Sequence, residues 1–246
     1  MRKLKILFIF FILYLLNACA VKKYMPENTF LYEEAQVVLK SETTLTNEDE
    51  IQSQLEDVLF PTPNSTSLWM KPGLHFHYKA QKENPNFINR FFNKKIGEEP
   101  VYFKEVDIEN TKKVLQNRLE NLGHFNNKIT HRIQTDSAKR QKSIQYEIQL
   151  QKGYTLQSYQ LDSIQVDSLL IFKDIKKSLE TSLLDDSTKF DLSKLKDERD
   201  RIHTYLKEKG YYNFKSNFIL FEADTNQNNN KTYNLYLRLK DEVPKK

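Results

Sequence analysis

Two stretches of the chain place apolar residues at helical spacing and then stop at a glycine: Ile108, Leu115, Leu119 and Leu122 before Gly123, and Leu195, Ile202 and Leu206 before Gly210. The spacing predicts amphipathic helices, and a glycine straight after the last apolar residue predicts a left-handed C-terminal cap. Past each glycine the period changes to two. Ile129, Ile133 and then Ile144, Tyr146, Ile148 and Leu150 follow Gly123, whereas Phe218, Leu220 and then Tyr233, Leu235, Leu237 and Leu239 follow Gly210. Alternation of this kind predicts two paired strands in each case, the second pair joined through the asparagine-rich loop at residues 226–230. The helix endings match in detail, since Leu119-Glu120-Asn121-Leu122-Gly123-His124-Phe125-Asn126 returns as Leu206-Lys207-Glu208-Lys209-Gly210-Tyr211-Tyr212-Asn213. A unit that recurs this way is a duplicated module, and the aromatic pair after each glycine is expected to pack back over the last helical turn.

Upstream of each helix the pattern repeats as well. Leu156, Tyr159, Leu161 and Ile164 read as a strand, and Phe172, Ile175, Leu179 and Leu183 as a helix capped by Ser168. The polar break Asp185-Asp186-Ser187-Thr188 then separates that helix from the next, which Asp191 or Ser193 caps. The order is β-α-α-β-β. In the first copy Ala35, Val37 and Leu39 alternate, after which Thr46-Asn47-Glu48-Asp49 opens a helix carrying Ile51, Leu55, Val58 and Leu59. Its partner helix starts only near Asp107. Residues 60–104 are therefore an insertion, with Pro61, Pro63, Pro72, Pro85 and Pro100 among Trp69, Phe76, Tyr78, Phe87, Phe91 and Phe92. That segment is too aromatic for a disordered linker and too broken by proline for one long helix, so it is expected to be a partly ordered arm packed on the surface.

The N-terminus changes the picture of where the modules work. Arg2, Lys3 and Lys5 precede an apolar run at residues 6–16, the layout of a secretory signal rather than of a permanent span. The run closes on Leu16-Asn17-Ala18-Cys19, which resembles the lipobox of bacterial lipoproteins; the resemblance implies cleavage after residue 18 and lipid attachment at Cys19, followed by a tether at 19–28. Cys19 is the only cysteine of the 246 residues, so the remainder holds no disulfide. Removing Arg2, Lys3 and Lys5 lowers the formal net charge from +5 to +2, with acids and bases interspersed, which excludes a nucleic-acid footprint. Lys112-Lys113 and Lys176-Lys177 read as solvated helix faces.

Catalytic chemistry finds little purchase. None of the phosphate-cradling, nucleophile-elbow or zinc-helix motifs occurs, and five glycines leave little material for such loops. His75-Phe76-His77 would set two imidazoles on one face of a strand, but no third ligand accompanies them. Asp185-Asp186 and Glu98-Glu99 fall in expected turns, where solvation explains them. No enzyme, cofactor or metal is expected.

A tandem β-α-α-β-β unit with an L-x-x-x-G-[YH]-[FY] helix ending, on an exported chain, resembles the POTRA (polypeptide-transport-associated) domains of BamA/TamA-type outer-membrane assembly proteins. Pro61-Thr62-Pro63-Asn64, Met70-Lys71-Pro72-Gly73-Leu74, Ile96-Gly97-Glu98-Glu99-Pro100-Val101 and Glu198-Arg199-Asp200-Arg201-Ile202 resemble the lipid-anchored TamA-like variant. The resemblance implies an α+β fold: two domains, at 29–152 and 153–241 with a tail at 242–246, each a small mixed three-stranded sheet covered by two helices on one face. Members of that family continue into a β-barrel, which the pattern up to Lys246 does not contain, so barrel functions are not implied. What it does imply is a periplasm-facing, outer-membrane-anchored module that takes up unfolded outer-membrane proteins or assembly partners by β-augmentation. Free edges are expected at Ile129, His131 and Ile133 in the first domain and at Phe218, Leu220 and Glu222 in the second, with Gly123 and Gly210 as structural caps. Two alternatives stand beside this reading: an envelope adaptor lipoprotein that bridges one folded partner, and a hydrolase.

Overall fold

A computed structural model describes residues 21–41, 47–67, 70–162, 170–186, 188–225 and 231–240. Cys19 with the 1–18 segment, the expected caps Thr46 and Ser168, Trp69, Ile164, Ser187, the 226–230 loop and the 242–246 tail lie outside those residues. The elements run β1 (Leu31–Ser41), α1 (Glu48–Glu56), α2 (Pro72–Ala80), α3 (Phe87–Ile96), α4 (Ile108–Asn121), β2 (Lys128–Asp136), β3 (Gln141–Leu150), β4 (Thr155–Leu161), α5 (Leu170–Ser178), α6 (Leu192–Glu208), β5 (Ile219–Asp224) and β6 (Thr232–Leu239). Two three-stranded sheets result, ordered β1-β3-β2 and β4-β6-β5. The chain is α+β, and the β-α-α-β-β order occurs twice, with α2 and α3 filling the insertion. Among the described residues, backbone proximity groups those of 21–39, 52–114 and 129–148 in one compact unit and those of 40–51, 115–128 and 149–240 in another.

The helix endings share one hydrogen-bond pattern. Gly123 N–H donates to Glu120 O at 3.0 Å and His124 N–H to Leu119 O at 2.9 Å; Gly210 and Tyr211 repeat this with Lys207 O and Leu206 O at 3.0 and 3.1 Å. These are paired Schellman bonds, and they require a left-handed residue. Gly123 and Gly210 supply it at φ of +81° and +90°. The first aromatic position after each glycine is buried, His124 and Tyr211; the second differs, with Phe125 half-buried against Tyr154 and Phe190 and Tyr212 77% exposed.

In the second unit β4 runs parallel to β6 and β5 antiparallel to it. Tyr233, Leu235, Leu237 and Leu239 of β6 are buried as their alternation predicts. Ile171 and Ile175 of α5, Ile202 and Leu206 of α6, Tyr211, Phe214, Ile219, Leu237 and Leu239 form one cluster. The α5 stripe ends earlier than the sequence suggests. At Ser178 the helix tightens into a 3-10 turn, Leu179–Thr181, so Leu183 is exposed and Leu184 buried instead. The cause is Glu198, fully buried in the apolar stripe of α6, whose carboxylate accepts a bond from Leu183 N–H at 3.0 Å and two from the Arg201 guanidinium at 2.7 Å. Arg201 also donates to Ser178 O at 2.9 Å, pinning the chain where α5 stops.

In the first sheet Ile144, Tyr146, Ile148 and Leu150 of β3 are buried, as is Val37 of β1. β1 begins earlier than its alternation indicates, because Leu31 and Tyr32 are also buried. The insertion contains two helices, so His75 and His77 lie on α2 rather than on a strand. Two residues apart on a helix, the imidazoles diverge: His75 meets the Tyr24 ring edge-on, and His77 bonds Gln81.

Candidate functional site

Each three-stranded sheet has two outer edges, and in both sheets a strap pairs with the start of one of them. Along β1, Leu31 bridges Tyr102, Tyr32 N–H donates to Val101 O at 2.9 Å, and Phe103 N–H donates to Phe30 O at 2.9 Å. Along β4, Thr155 bridges Lys189, Leu156 N–H donates to Thr188 O at 2.8 Å, and Phe190 N–H donates to Tyr154 O at 2.9 Å. The offset from Tyr102 to Lys189 equals that from Gly123 to Gly210, so the strap belongs to the repeated unit. Both straps satisfy main-chain groups that would otherwise face water or another chain.

The first strap is held by a polar network. Asn64 is buried; its side chain accepts from Val101 N–H at 2.8 Å and donates to Glu99 O at 2.7 Å. Glu98 accepts from Asn64 and from Ser65 N–H, while the buried Lys71 ammonium bonds Asn64 O and pairs with Glu33 at 3.2 Å. Burial would raise the Glu98 carboxyl, but the bonds from Ser65 and Asn64 and the Lys71 charge outweigh it and hold it below the usual range. Three sequence motifs far apart in the chain thus act as one clamp.

The other edges are open. Among the described residues no backbone hydrogen bond beyond the sheet ladders reaches residues 128–136 of β2 or 220–223 of β5, and Ile219 N–H donates back to Ser216 O. In β5 the open groups can be assigned. Lys240 N–H donates to Phe218 O at 3.0 Å, and the register pairs Leu220 with Arg238 and Glu222 with Tyr236, so those residues exchange their bonds with β6. Consistent with this, Leu237 O turns to the opposite side and accepts from Asp162 N–H. The outward donors are therefore those of Phe221 and Ala223, and the outward acceptors those of Ile219, Phe221 and Ala223, since Ile219 N–H is taken by Ser216 O. This corrects the expected set: Phe218 lies in a 3-10 turn, Ser216–Phe218, before the strand, and the main-chain groups of Leu220 and Glu222 are occupied by β6. The Leu220 side chain is 42% exposed on the outer face, and the Ile219 and Phe221 side chains face the core. An alternation in which Ile219, Leu220 and Phe221 are all apolar offers no parity to read.

β2 carries Ile129, His131 and Ile133 as expected, from half-buried at Ile129 and His131 to 44% exposed at Ile133. Beside it lies an open cleft of about 570 Å³ lined by residues 104–109 and His131. Its lining combines Val106 and Ile108 with the carboxylates of Glu105, Asp107 and Glu109 and the Lys104 ammonium. The Lys112 ammonium, bonded to Glu109, holds that carboxyl below its ordinary range. Sequence reasoning missed this cleft, since its residues are a helix start in sequence and meet the strand only in the fold. Each open strand also ties one charge to its central neighbour: Arg132 to Glu147 at 2.8 Å in the first sheet, Glu222 to Arg238 at 2.8 Å in the second. Such ion pairs blunt an edge against indiscriminate pairing.

No group of three or more His, Cys, Asp or Glu among the described residues could hold a metal ion. None of the described helices is long and apolar enough to cross a membrane.

In architecture the chain is a POTRA-like tandem, by its own element order, sheet order and helix endings. No protein-family model and no characterised protein sequence matches it. Among solved structures it is similar to POTRA domains 3–5 of BamA from Haemophilus influenzae, at 16% identity over 88% of this chain and 68% of that one, with a TM-score of 0.43. It is also similar to BamA from Haemophilus ducreyi lacking POTRA domains 1–3 (9% identity, 86% of this chain, 29% of that one, TM-score 0.43). A third likeness is to POTRA domains 1–2 of the periplasmic domain of Omp85 from Anabaena (11%, 87% and 98%, TM-score 0.39). At such identities and scores the fold description rests on the topology of the chain itself.

Proposed function

We propose that this chain is a non-catalytic, periplasm-facing module of outer-membrane protein assembly, anchored through a lipid on Cys19, that binds extended client or partner segments by β-augmentation. The observation that carries the reading is the asymmetry of the sheets: in both repeats a strap pairs with the start of the first strand, at residues 30–32 and 154–156, and among the described residues none pairs with β2 or β5. An extended peptide added there gains main-chain bonds, and neighbouring pockets select its side chains. At β2 the adjacent cleft, where three carboxylates outnumber the Lys104 ammonium beside Val106 and Ile108, suits a long basic side chain of the client.

The test is binding of an unfolded outer-membrane β-strand peptide. Affinity of the parent should be weak, roughly micromolar to millimolar, because one added strand buries little surface and must offset the ordering of the peptide. Ala223→Pro removes one outward donor and spares the β6 ladder, so it should weaken peptide binding while the protein keeps its cooperative melt. Unchanged affinity in folded Ala223→Pro, together with unchanged affinity in a β2 variant such as Arg132→Pro that also stays folded, refutes β-augmentation and favours the adaptor that bridges one folded partner.

A further inference from the structure

Helix α3 is turned inside out. It buries no residue, yet Phe87, Ile88, Phe91, Phe92 and Ile96 are 73%, 58%, 48%, 39% and 45% exposed. At about 100° per residue these five side chains form one arc together with Lys95, while the opposite arc is Asn89 and Asn93, the half-buried side. Asn89 and Asn93 are the less exposed side, and of the aromatic arc Phe92 meets α2 while Phe87, Ile88 and Phe91 point outward. Arg90 and Lys94 flank that face, and the helix has no acid. None of Arg90, Lys94 or Lys95 is in an ion pair among the described residues.

The helix is fixed in this pose through α2, where Phe76 stacks on Phe92 with ring centroids 4.9 Å apart. α2 in turn seats the chain that directly follows Cys19. Leu74 packs with Val21, Met25 and Leu31, and Tyr78 stacks on Tyr24 at 5.9 Å. The Tyr24 ring has the ammonium groups of Lys23, Lys82 and Lys79 at 5.1, 5.6 and 5.8 Å from its centroid. The aromatic face, the cations of α3 and this second basic cluster therefore belong to one body, and Val21 is only two residues, at most about 7 Å, from Cys19.

We propose that the α2–α3 hairpin is a membrane-contact element whose Phe87–Phe91 face lies in the interfacial layer of an anionic bilayer. Charge complementarity selects this occupant. A contiguous exposed aromatic face marks an interaction site, and a short amphipathic helix with bulky apolar residues on one side and only cations among its charges fits the boundary between acyl chains and anionic headgroups. A peptide groove would be concave; this face is a single convex helix. Acyl anchoring is stabilised by a second attachment of this kind. The element also fixes how the body is presented to the membrane, which a tether alone leaves free.

The test uses the mature lipoprotein reconstituted in vesicles of phosphatidylglycerol and phosphatidylcholine, with a nitroxide on Phe87→Cys and, as control, on Leu220→Cys in β5. Both positions are exposed, so neither label disturbs the core. The Phe87 label should become accessible to oxygen and shielded from a water-soluble nickel complex, and the Leu220 label should stay in water. Lys94→Gln and Lys95→Gln should each lower the ratio of immersed to water-exposed label about fivefold, and vesicles of phosphatidylcholine alone should lower it further. A Phe87 label that remains in water in the anionic vesicles overturns the proposal. So does spin–spin broadening at that label, which would mean that a second copy covers the face. Nitroxide incorporation at Cys19 itself reports loss of the lipid, so failure of the anchoring reading is seen separately from failure of this one.

Discussion

At the position of α6 where Glu198 stands, twelve residues before its capping glycine, α4 has Thr111, and where Arg201 stands α4 has Val114. The two repeats keep the same apolar stripe, Schellman bonds and strap, but meet the same buried polar position differently. Thr111 returns its hydroxyl to Asp107 O within its own helix at 2.8 Å. Glu198 reaches out of its helix to Leu183 N–H and Arg201 and thereby ends α5. Duplication preserved what the backbone requires and left interior polar groups to be solved locally. The capping positions differ as well, with His124 in the first copy and Tyr211 in the second. Tyr211 donates to Asp174 at 2.8 Å, and burial together with that carboxylate pushes its hydroxyl up to about 12.

The largest expected effect comes from breaking the Glu198 pair. Glu198→Ala removes two charge-assisted bonds from the part-exposed Arg201 guanidinium and strands the Leu183 donor, and should cost about 2–3 kcal/mol, whereas Thr111→Ala in the first repeat loses one local bond worth about 1 kcal/mol. Native-state amide exchange of β6 against β3 reads the two losses separately, and equal losses would dissolve the contrast. The glycines rank next. Valine at either position meets the positive-φ strain, on the order of 1–3 kcal/mol. Gly123→Val should be the worse of the two in urea melts, because its Cβ would fall 2.6 Å from the Cβ of Phe190, while nothing lies within 4 Å at Gly210. Equal melts would show that the strain alone matters.

The smallest effect is the pH dependence of the first cap. Burial, helped by the Lys189 charge and opposed by the bond to Gln151 O, lowers the His124 pKa. Below the unfolded value of about 6.5 the unfolded chain takes a proton that buried His124 refuses. The stability held by neutral His124 is therefore complete above about pH 6.5 and declines as pH falls below it. Melting curves from pH 7.5 to 5 should show a shallower acid slope in His124→Gln than in the parent; an identical slope would remove His124 from the account.

The repeat, its helix stops and the strands β3 and β6 were legible because each obeys one period and ends on a residue with one conformational reason to be there. Glu198 was hidden by the same logic, since a carboxylate inside an apolar stripe reads as an interruption until its partner three residues on is seen bonding it. The straps were hidden because Tyr102 and Lys189 are single bridging residues, too short to show alternation, although their equal offset from the two glycines was a usable signal. Of the candidate site, the strands β2 and β5 were legible from their alternation, but the side of β5 that faces outward was not, because parity is lost in an apolar triplet.

The central claim is that these edges receive another strand, and backbone parity in β5 tests it most directly. Amide exchange followed residue by residue on titration with an unfolded outer-membrane β-strand peptide should start with Leu220 and Glu222 protected by β6 and with Phe221 and Ala223 open to water. On saturation, the account predicts that Phe221 and Ala223 become protected and that Leu220 and Glu222 change little. Protection that appears on both parities alike, or at the strapped edges of β1 and β4 with β2 and β5 left open, would contradict it.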